Sequence, residues 1–275
     1  DGLWIFDLST KDAEVLGTQN TTSLDISYHA TQADADANTN AVNKTAYTNT
    51  TAYNETLYVR IENNGNPDCF DTTTLNLQVD DSPQAQSVTN WNICDDNNDG
   101  FYSIYLTQKD SEILGSQNAT DFSVRYYLSQ ADTDANTNEL TSPYTNTVNP
   151  QLIFYRLENN TNTQCYLSGS FTVEVFNTPI ANAATDMVVC DDNNDGLWTF
   201  DLSTKDAEVL GIQNTTSLDI SYHTTQADAD ANSNAVNKTA YANTSAYNET
   251  LYVRIENNGN PDCYDTITLN LQVDD

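Results

Sequence analysis

Five cysteines are the residues of this chain best suited to covalent chemistry, because pairs of them can form disulfide bonds. Cys94 and Cys190 stand in the same flanking sequence, and Cys165 and Cys263 follow them at similar distances. We predict one bridge within each sequence repeat, Cys94–Cys165 and Cys190–Cys263, with the partner position of Cys69 preceding residue 1. The rival pairing, Cys69–Cys94 with Cys165–Cys190, would join residues about 35 Å apart if Cys165 begins a last strand of about 11 residues. A disulfide requires Cα atoms within about 7 Å, so this geometry disfavours the rival.

The disulfide prediction also bears on location and stability. Proteins that keep disulfides reside outside the cytoplasm, so we expect an extracellular chain. A bridge closing roughly 70 residues would contribute on the order of 4 kcal/mol in the chain-entropy model. Metal-type and C-x-x-C spacings are absent, so the alternative is a set of buried free thiols.

An acidic motif, Asp-x-Asn-x-Asp-Gly, begins directly after Cys94 and after Cys190 and could bind a cation. Oxygen ligands at positions 1, 3 and 5 with glycine at position 6 match the first half of a calcium loop. Position 12 is Leu106 or Leu202 instead of a bidentate glutamate, which disfavours an EF-hand. Ca²⁺ is the one cofactor that we predict, and a turn without an ion is the alternative. The predicted ligands are Asp95, Asn97 and Asp99 in one copy and Asp191, Asn193 and Asp195 in the other.

Catalytic chemistry has little support in this sequence. The two histidines, His29 and His223, occupy the same position of two repeats, and no triad partner adjoins them. We interpret them as surface residues at a strand edge. Arg60 precedes Glu62 by two residues, a spacing that puts both side chains on one face of a strand. A structural ion pair is the simpler interpretation, and binding of a carboxylate ligand is the alternative. We predict no enzyme activity.

The charge of the chain excludes two classes of partner. Its 40 acidic and 9 basic residues leave a formal charge of −31. Such a polyanion repels nucleic acid and anionic membrane surfaces. No run of about 18 apolar residues is present, so we predict no membrane insertion. The acidic surface favours solubility and attracts cations.

The organisation of the chain is repetitive. Residues 1–81 return at 195–275 with few substitutions, and a diverged copy lies between them. The sequence unit is therefore about 97 residues long and occurs three times. We predict domains at 1–81, 82–177 and 178–275, with the first lacking its opening strand. Each repeat is expected to touch its neighbours in the same chain.

The elements that carry these residues are predicted to be β-strands. Trp4, Phe6 and Leu8 alternate at period 2, as do apolar residues in three later runs of each repeat. Trp4 and Trp198 are in phase with these runs and are expected in the core. The cluster 63–67, Asn-Asn-Gly-Asn-Pro, predicts a hairpin turn. Six or seven short strands per unit predict an all-β fold of tandem immunoglobulin-like β-sandwich domains.

A resemblance to a known family rests on the order of several motifs across the unit. In the third repeat they are Cys190-Asp-Asp-Asn-Asn-Asp-Gly-Leu-Trp-Thr-Phe-Asp-Leu202, Val209-Leu-Gly211, Ser221-Tyr-His223, Gln226-Ala-Asp228, Leu251-Tyr-Val-Arg-Ile-Glu256 and Cys263. Together they resemble the tandem repeats of giant Bacteroidota surface proteins exported by the type 9 secretion system, including gliding-motility adhesins. The resemblance implies a cell-surface or secreted adhesin without catalytic residues.

Glycosylation is a weaker expectation from short motifs. Asn20, Asn118 and Asn214 stand in N-x-S/T sequons, which are frequent in a chain so rich in Asn and Thr. Thr72 and Thr266 follow aspartate in a motif that resembles the O-glycosylation motif of Bacteroidota. We predict these five residues as modification sites.

The expected function is that of a non-enzymatic extracellular stalk of a large bacterial cell-surface adhesin, projecting a tip or mediating adhesion. Two alternatives are a multivalent glycan-binding module and a subunit of an extracellular filament. The predicted partners are neighbouring repeats, surface glycans and other copies of the chain.

Overall fold

A computed structural model describes residues 1–19, 22–214 and 216–274. The strands are β1 Ile5–Phe6, β2 Leu24–His29, β3 Tyr47–Thr48, β4 Asn54–Asn63, β5 Asn66–Gln78, β6 Trp91–Asp95, β7 Ser103–Ile104, β8 Phe122–Tyr127, β9 Tyr144–Thr145, β10 Gln151–Asn159, β11 Tyr166–Asn177, β12 Met187–Cys190, β13 Thr199–Phe200, β14 Leu218–His223, β15 Tyr241–Ala242, β16 Asn248–Asn257 and β17 Asn260–Asp274. The short helices are α1 Asp12–Leu16, α2 Gln32–Ala37, α3 Asp110–Leu114, α4 Gln130–Ala135, α5 Asp206–Leu210 and α6 Gln226–Asp230. Single 3₁₀ turns, Leu8–Lys11, Leu106–Lys109 and Leu202–Lys205, precede α1, α3 and α5.

Two compact units contain the described residues. The first consists of those within Asp1–Ala85, Ser116–Ser123 and Leu157–Leu167, and the second of those within Gln86–Gly115, Val124–Arg156 and Ser168–Asp275. The second sequence repeat therefore contributes residues to both units.

The third repeat shows the complete strand arrangement. Its larger sheet has the order β12-β17-β16-β14, and β13 pairs with β15 in a small second sheet. The opening strand β12 runs parallel to the closing strand β17, whereas β16 is antiparallel to both β14 and β17. The second repeat has the same order, β6-β11-β10-β8 with β7-β9. The second and third repeats are therefore tandem immunoglobulin-like β-sandwiches, and the predicted all-β fold class is confirmed.

The first unit contains the three-stranded sheet β2-β4-β5 and the pair β1-β3. The predicted hairpin is present, because β4 and β5 are antiparallel neighbours joined at Asn63 and Asn66. Tyr28 on β2 and Leu57 and Val59 on β4 lie in the core of this repeat. Their alternation along the strands is the pattern that the sequence predicted.

A buried tyrosine ties the helical turn to the sheet in the third repeat. The Tyr222 hydroxyl donates to the Leu202 carbonyl at 2.9 Å and lies 2.9 Å from Asp206 Oδ1. Burial, together with the Asp206 charge, raises the pKa of Tyr222 above its usual range. Tyr28 makes the equivalent bonds to Leu8 and Asp12 in the first repeat. These polar bonds fix the helix where apolar packing alone would leave its angle free.

Two sequence-based expectations about burial are wrong. His29 and His223 are fully buried instead of lying at a surface edge. His223 bridges the Ser221 hydroxyl and the Ser233 carbonyl, so its polarity is satisfied inside the fold. Trp4 is 65% exposed. Its counterpart Trp198 packs against the core of the third repeat, where apolar residues of the opening strand β12 join the same cluster.

Candidate functional site

The most distinctive feature of the second compact unit is a disulfide between successive repeats. Cys94 of the second repeat bonds to Cys263 of the third, with a Cα–Cα distance of 5.2 Å and a sequence separation of 169 residues. Cys69, Cys165 and Cys190 are free thiols. The predicted bridges Cys94–Cys165 and Cys190–Cys263 are therefore wrong, as is the rival pairing of Cys69 with Cys94 and Cys165 with Cys190.

The parallel opening strand explains why the bridge within a repeat fails. Cys190 pairs with Asp274 in the register of β12 and β17, whereas Cys263 lies near the start of β17. At about 3.3 Å per residue the two cysteines are about 36 Å apart along the strand. Cys94 likewise pairs with Phe176 near the end of the second repeat. Each first cysteine thus lies at the exit end of its repeat, within reach of the next repeat.

A buried arginine holds the hairpin that presents Cys263. Arg254 on β16 is 2% exposed, and its Nε lies 2.6 Å from Glu256 Oε2. Its other nitrogens donate to the carbonyls of Ala229 and Pro261, and its guanidinium stacks 3.6 Å above the Tyr264 ring. The structural interpretation of these Arg–Glu pairs is confirmed, and Arg60 makes the same pair with Glu62 at 2.6 Å in the first unit. The arginine fixes both sides of the turn that leads to the cysteine.

Side-chain amides bind the linker between the second and third repeats. Asn257 Nδ2 donates to the Asn177 carbonyl at 3.0 Å. Asn98 both donates to the Thr178 carbonyl and accepts from its N–H. Gln213 makes the same two-way contact with the backbone of Ile180, at 2.7 and 2.9 Å. The backbone groups of the linker are therefore held at three points beside the disulfide.

Two of these three contacts recur in the first compact unit, at cysteines that are not bonded there. Asn159 Nδ2 donates to the Asp81 carbonyl at 3.0 Å, and Gln117 exchanges two hydrogen bonds with the backbone of Gln84. Cys165, at the position of Cys263, is half-buried. Burial, with a smaller contribution from the Asp80 charge, raises the pKa of its thiol. Sequence reasoning missed these amides, although their recurrence at the same place in each repeat was the signal that could have found them.

Gly259 lies close against the preceding repeat at the junction. A Cβ atom there would lie 2.7 Å from Cε1 of Phe176, which belongs to the closing strand of the preceding repeat. The equivalent Gly65 has only Asn63 Oδ1 nearby, at 3.4 Å.

Gly259→Ala is expected to destabilise the third repeat by about 1–3 kcal/mol, because overpacking forces the ring or the hairpin to shift. Gly65→Ala is the matched control and is expected to change stability by less than about 0.5 kcal/mol. Thermal unfolding of both variants measures the difference, and equal effects would contradict the close contact.

An ion pair fixes the segment that leads into β6. Lys109 Nζ donates to the Thr89 carbonyl at 2.9 Å and contacts Glu112 Oε2 at 2.6 Å, and Glu112 also accepts from the Thr89 N–H. These bonds lower the pKa of Glu112 to about 2, and the bond to Lys109 has the largest effect. Lys205, Thr185 and Glu208 form the same arrangement before β12.

Stability of the second repeat is expected to fall as the pH decreases from about 5 to about 2. The folded-state pKa of Glu112 is depressed, so its stabilisation is present above the unfolded-state pKa and is lost as pH falls through the folded-state value. Glu112→Gln is expected to flatten this part of the profile in urea unfolding. Identical profiles for the wild type and Glu112→Gln would contradict the assignment.

The acidic motif forms a turn held by its own side chains. Asp191 Oδ1 accepts from the Asn193 N–H, and Asn193 Oδ1 accepts from the Asp195 N–H, both at 3.1 Å. Asp95, Asn97 and Asp99 make the same bonds in the second repeat. Backbone N–H groups that donate to Asp191 lower its pKa, and the N–H of Asn193 has the largest effect. Within residues 1–19, 22–214 and 216–274 no cluster of three His, Cys, Asp or Glu side chains could hold a metal, and calcium stays a prediction.

The predicted glycosylation residues lie in two environments. Asn118 and Asn214 are exposed, and Thr216 Oγ1 donates to Asn214 Oδ1 at 3.0 Å. Thr72 and Thr266 are half-buried on β5 and β17, where each hydroxyl accepts from a glutamine amide, Gln32 or Gln226. Asn20 lies outside the described residues. Modification of all five residues stays a prediction.

Comparison with known proteins connects the disulfide to a family. Residues 1–83, 90–179 and 186–275 match the Flavobacterium inter-domain disulphide bond domain. The chain belongs to this family and consists of three copies of its domain. No curated protein matches the chain. In the part of the chain that the structure describes, no helix has the length and apolar character needed to cross a membrane.

Several solved structures of tandem extracellular domains are similar to the chain. Zebrafish RET cadherin-like domains 1 to 4 share 13% identity over 92% of this chain and 66% of theirs, with a TM-score of 0.21. The human desmocollin-1 ectodomain shares 13% identity over 91% of this chain and 54% of its own length, with a TM-score of 0.19. Sidekick-1 immunoglobulin domains 1–4 share 9% identity over 92% of this chain and 68% of theirs, with a TM-score of 0.28. The chain thus spans about half of the desmocollin-1 structure and about two thirds of the other two.

Proposed function

We propose that the chain is a non-enzymatic extracellular stalk segment of a large bacterial cell-surface adhesin. The observation that carries this proposal is the covalent link Cys94–Cys263 between successive repeats. A disulfide persists in oxidising surroundings, which supports a location outside the cytoplasm. Joining one repeat to the next contributes nothing to a catalytic site but suits a chain of domains that must stay connected.

The pairing supports a general rule for the stalk. The first cysteine of one repeat bonds to the second cysteine of the next, as Cys94 does with Cys263. By this rule Cys190 bonds to a following repeat, and Cys69 and Cys165 bond to opening-strand cysteines of preceding repeats. Peptide mapping of the longest native chain without reduction tests the rule, and a bridge within one repeat would contradict it.

Adhesion and export by the type 9 secretion system are the finer parts of the proposal. The motif order that resembles gliding-motility adhesins supports both. An antibody raised against residues 1–275 is expected to label intact cells that produce the protein, and deletion of the secretion system is expected to abolish this labelling. Labelling restricted to permeabilised cells would overturn the extracellular location. Deletion of the repeats with retention of attachment would overturn the role in adhesion.

Two further parts of this proposal are calcium binding at the acidic turns and glycosylation of the chain. Asn193 bonds to both Asp191 and Asp195 within one turn, and a calcium site here would need further oxygens from backbone carbonyls. Calorimetric titration with Ca²⁺ tests the acidic turns, with Asp191→Asn as the control variant. Intact-mass measurement of protein from its native source tests for glycans.

A filament subunit is the second candidate, and the exposed thiols favour it. Cys190 is a first cysteine and Cys69 a second cysteine, and both are exposed and free. Copies of the chain joined end to end could form the bond Cys190–Cys69 by the same rule. Oxidised protein would then run as multimers on a gel without reductant, and Cys69→Ser would abolish them.

A further inference from the structure

We propose that the Cys94–Cys263 bridge makes the second and third repeats inextensible under tension, because it transfers load directly from β6 to β17. A force applied along a polypeptide follows the shortest covalent path between the points of attachment. The bridge shortens this path by 169 residues of sequence separation. Within these two repeats the path then contains only residues 82–94, which include β6 up to Cys94, and the chain from Cys263 onward in β17.

The strand β6 is arranged to resist tension. All five of its residues pair in parallel with the closing strand β11, from Trp91 opposite Val173 to Asp95 opposite Asn177. Tension that enters β6 leaves it through the Cys94 side chain, so it does not have to cross the hydrogen bonds to β11, which instead keep the strand extended. The Lys109 contact to the Thr89 carbonyl holds the chain just before the strand.

The strand β17 continues the path on the other side of the bridge. It lies inside its sheet, between the parallel β12 and the antiparallel β16. Cys263 is near its start, and Asp274 is at its end. A strand of about 12 residues already spans about 40 Å at about 3.3 Å per residue, close to its full contour length. Tension along β17 therefore has almost no slack to take up.

The consequence holds even if both repeats lose their folded structure. Residues 95–262 form a closed loop that bears no tension while the bridge is intact. Reduction of the bridge by a dithiol, which is itself oxidised to a disulfide, returns two cysteine thiols and places this loop in the load path. The released contour length is about 600 Å at the limit of about 3.6 Å per residue. The bridge is thus a redox-controlled limit on extension.

Single-molecule pulling of the full chain tests the proposal, with attachment through terminal protein tags so that no cysteine is consumed. Under oxidising conditions only the first repeat is expected to lengthen, by about 300 Å or less. Adding a dithiol to the same molecules is expected to release a further extension on the order of 500 Å.

Matched variants separate the bridge from the other thiols. Cys263→Ser is expected to show the long extension without a dithiol, whereas Cys190→Ser, which removes an exposed free thiol, is expected to behave as the wild type. The dithiol experiment on the wild type does not depend on folding of a variant. Extension of the oxidised chain beyond the first repeat, or no gain after reduction, would overturn the proposal. The proposed limit on extension rests on the stalk function only for its biological use. Cell labelling tests the stalk function and pulling tests the limit on extension, so either can fail without the other.

Discussion

Cys263→Ser is expected to lower the free energy for joint unfolding of the second and third repeats by about 5 kcal/mol. The bridge closes a loop with a sequence separation of 169 residues, which restricts the unfolded chain more than a short loop does. In the chain-entropy model this stabilisation rises with the logarithm of loop length. Urea unfolding of the oxidised chain, followed by circular dichroism, measures the change.

The control for this prediction is Cys190→Ser, because Cys190 is exposed and free. Its unfolding free energy is expected to stay within about 0.5 kcal/mol of the wild type. A dithiol should shift the wild type toward Cys263→Ser and leave Cys263→Ser unchanged. If the dithiol shifts both proteins equally, the stabilisation does not come from the bridge to Cys263.

Arg254→Met is expected to destabilise the third repeat by about 3–5 kcal/mol and to reduce formation of the Cys94–Cys263 bond. The substitution removes the cation that lies 2.6 Å from the Glu256 carboxylate and leaves that charge with the neutral Asn232 amide. It also removes the donors to the carbonyls of Ala229 and Pro261. The turn before Cys263 then loses its anchor, so fewer molecules present the thiol to Cys94. Urea unfolding and peptide mapping without reduction measure the two effects.

Two further variants make this prediction specific. Lys11→Ala removes an ion pair with Glu14 whose side chains are 48% and 73% exposed, so a loss below about 1 kcal/mol is expected. Arg254→Lys keeps the charge but not the planar set of donors, so we expect only partial recovery. Full bridge formation in Arg254→Met, despite its lower stability, would show that the arginine does not position the hairpin.

These two predictions concern the same piece of structure. The hairpin between β16 and β17 carries Cys263, Gly259 packs it on Phe176, and Asn257 binds the Asn177 carbonyl. Arg254 fixes it from within its own repeat. Stability of the repeat and attachment to its neighbour are therefore coupled, since the interior that holds the hairpin also sets the position of the thiol.

The amino-acid sequence by itself determined the local architecture. Alternation of apolar residues at period 2 predicted the strands, and the Asn-Gly-Asn-Pro cluster predicted the hairpin, because both depend on neighbours within a few residues. The repeat length and the pairing of Arg60 with Glu62 followed from spacing alone. The cysteines also predicted disulfide bonding, although the partners assigned from the sequence, Cys94–Cys165 and Cys190–Cys263, are wrong.

Only the tertiary structure decided which cysteines meet. The sequence shows that Cys190 ends a strand, but not that this strand lies parallel to β17 with Cys190 opposite Asp274. That register places the first cysteine at the exit of its repeat and about 36 Å from Cys263 along the strand. Burial of His223 was likewise hidden, because its partner carbonyl on Ser233 comes from a loop that only the folded chain brings near. Both outcomes depend on contacts between distant segments, for which periodicity carries no signal.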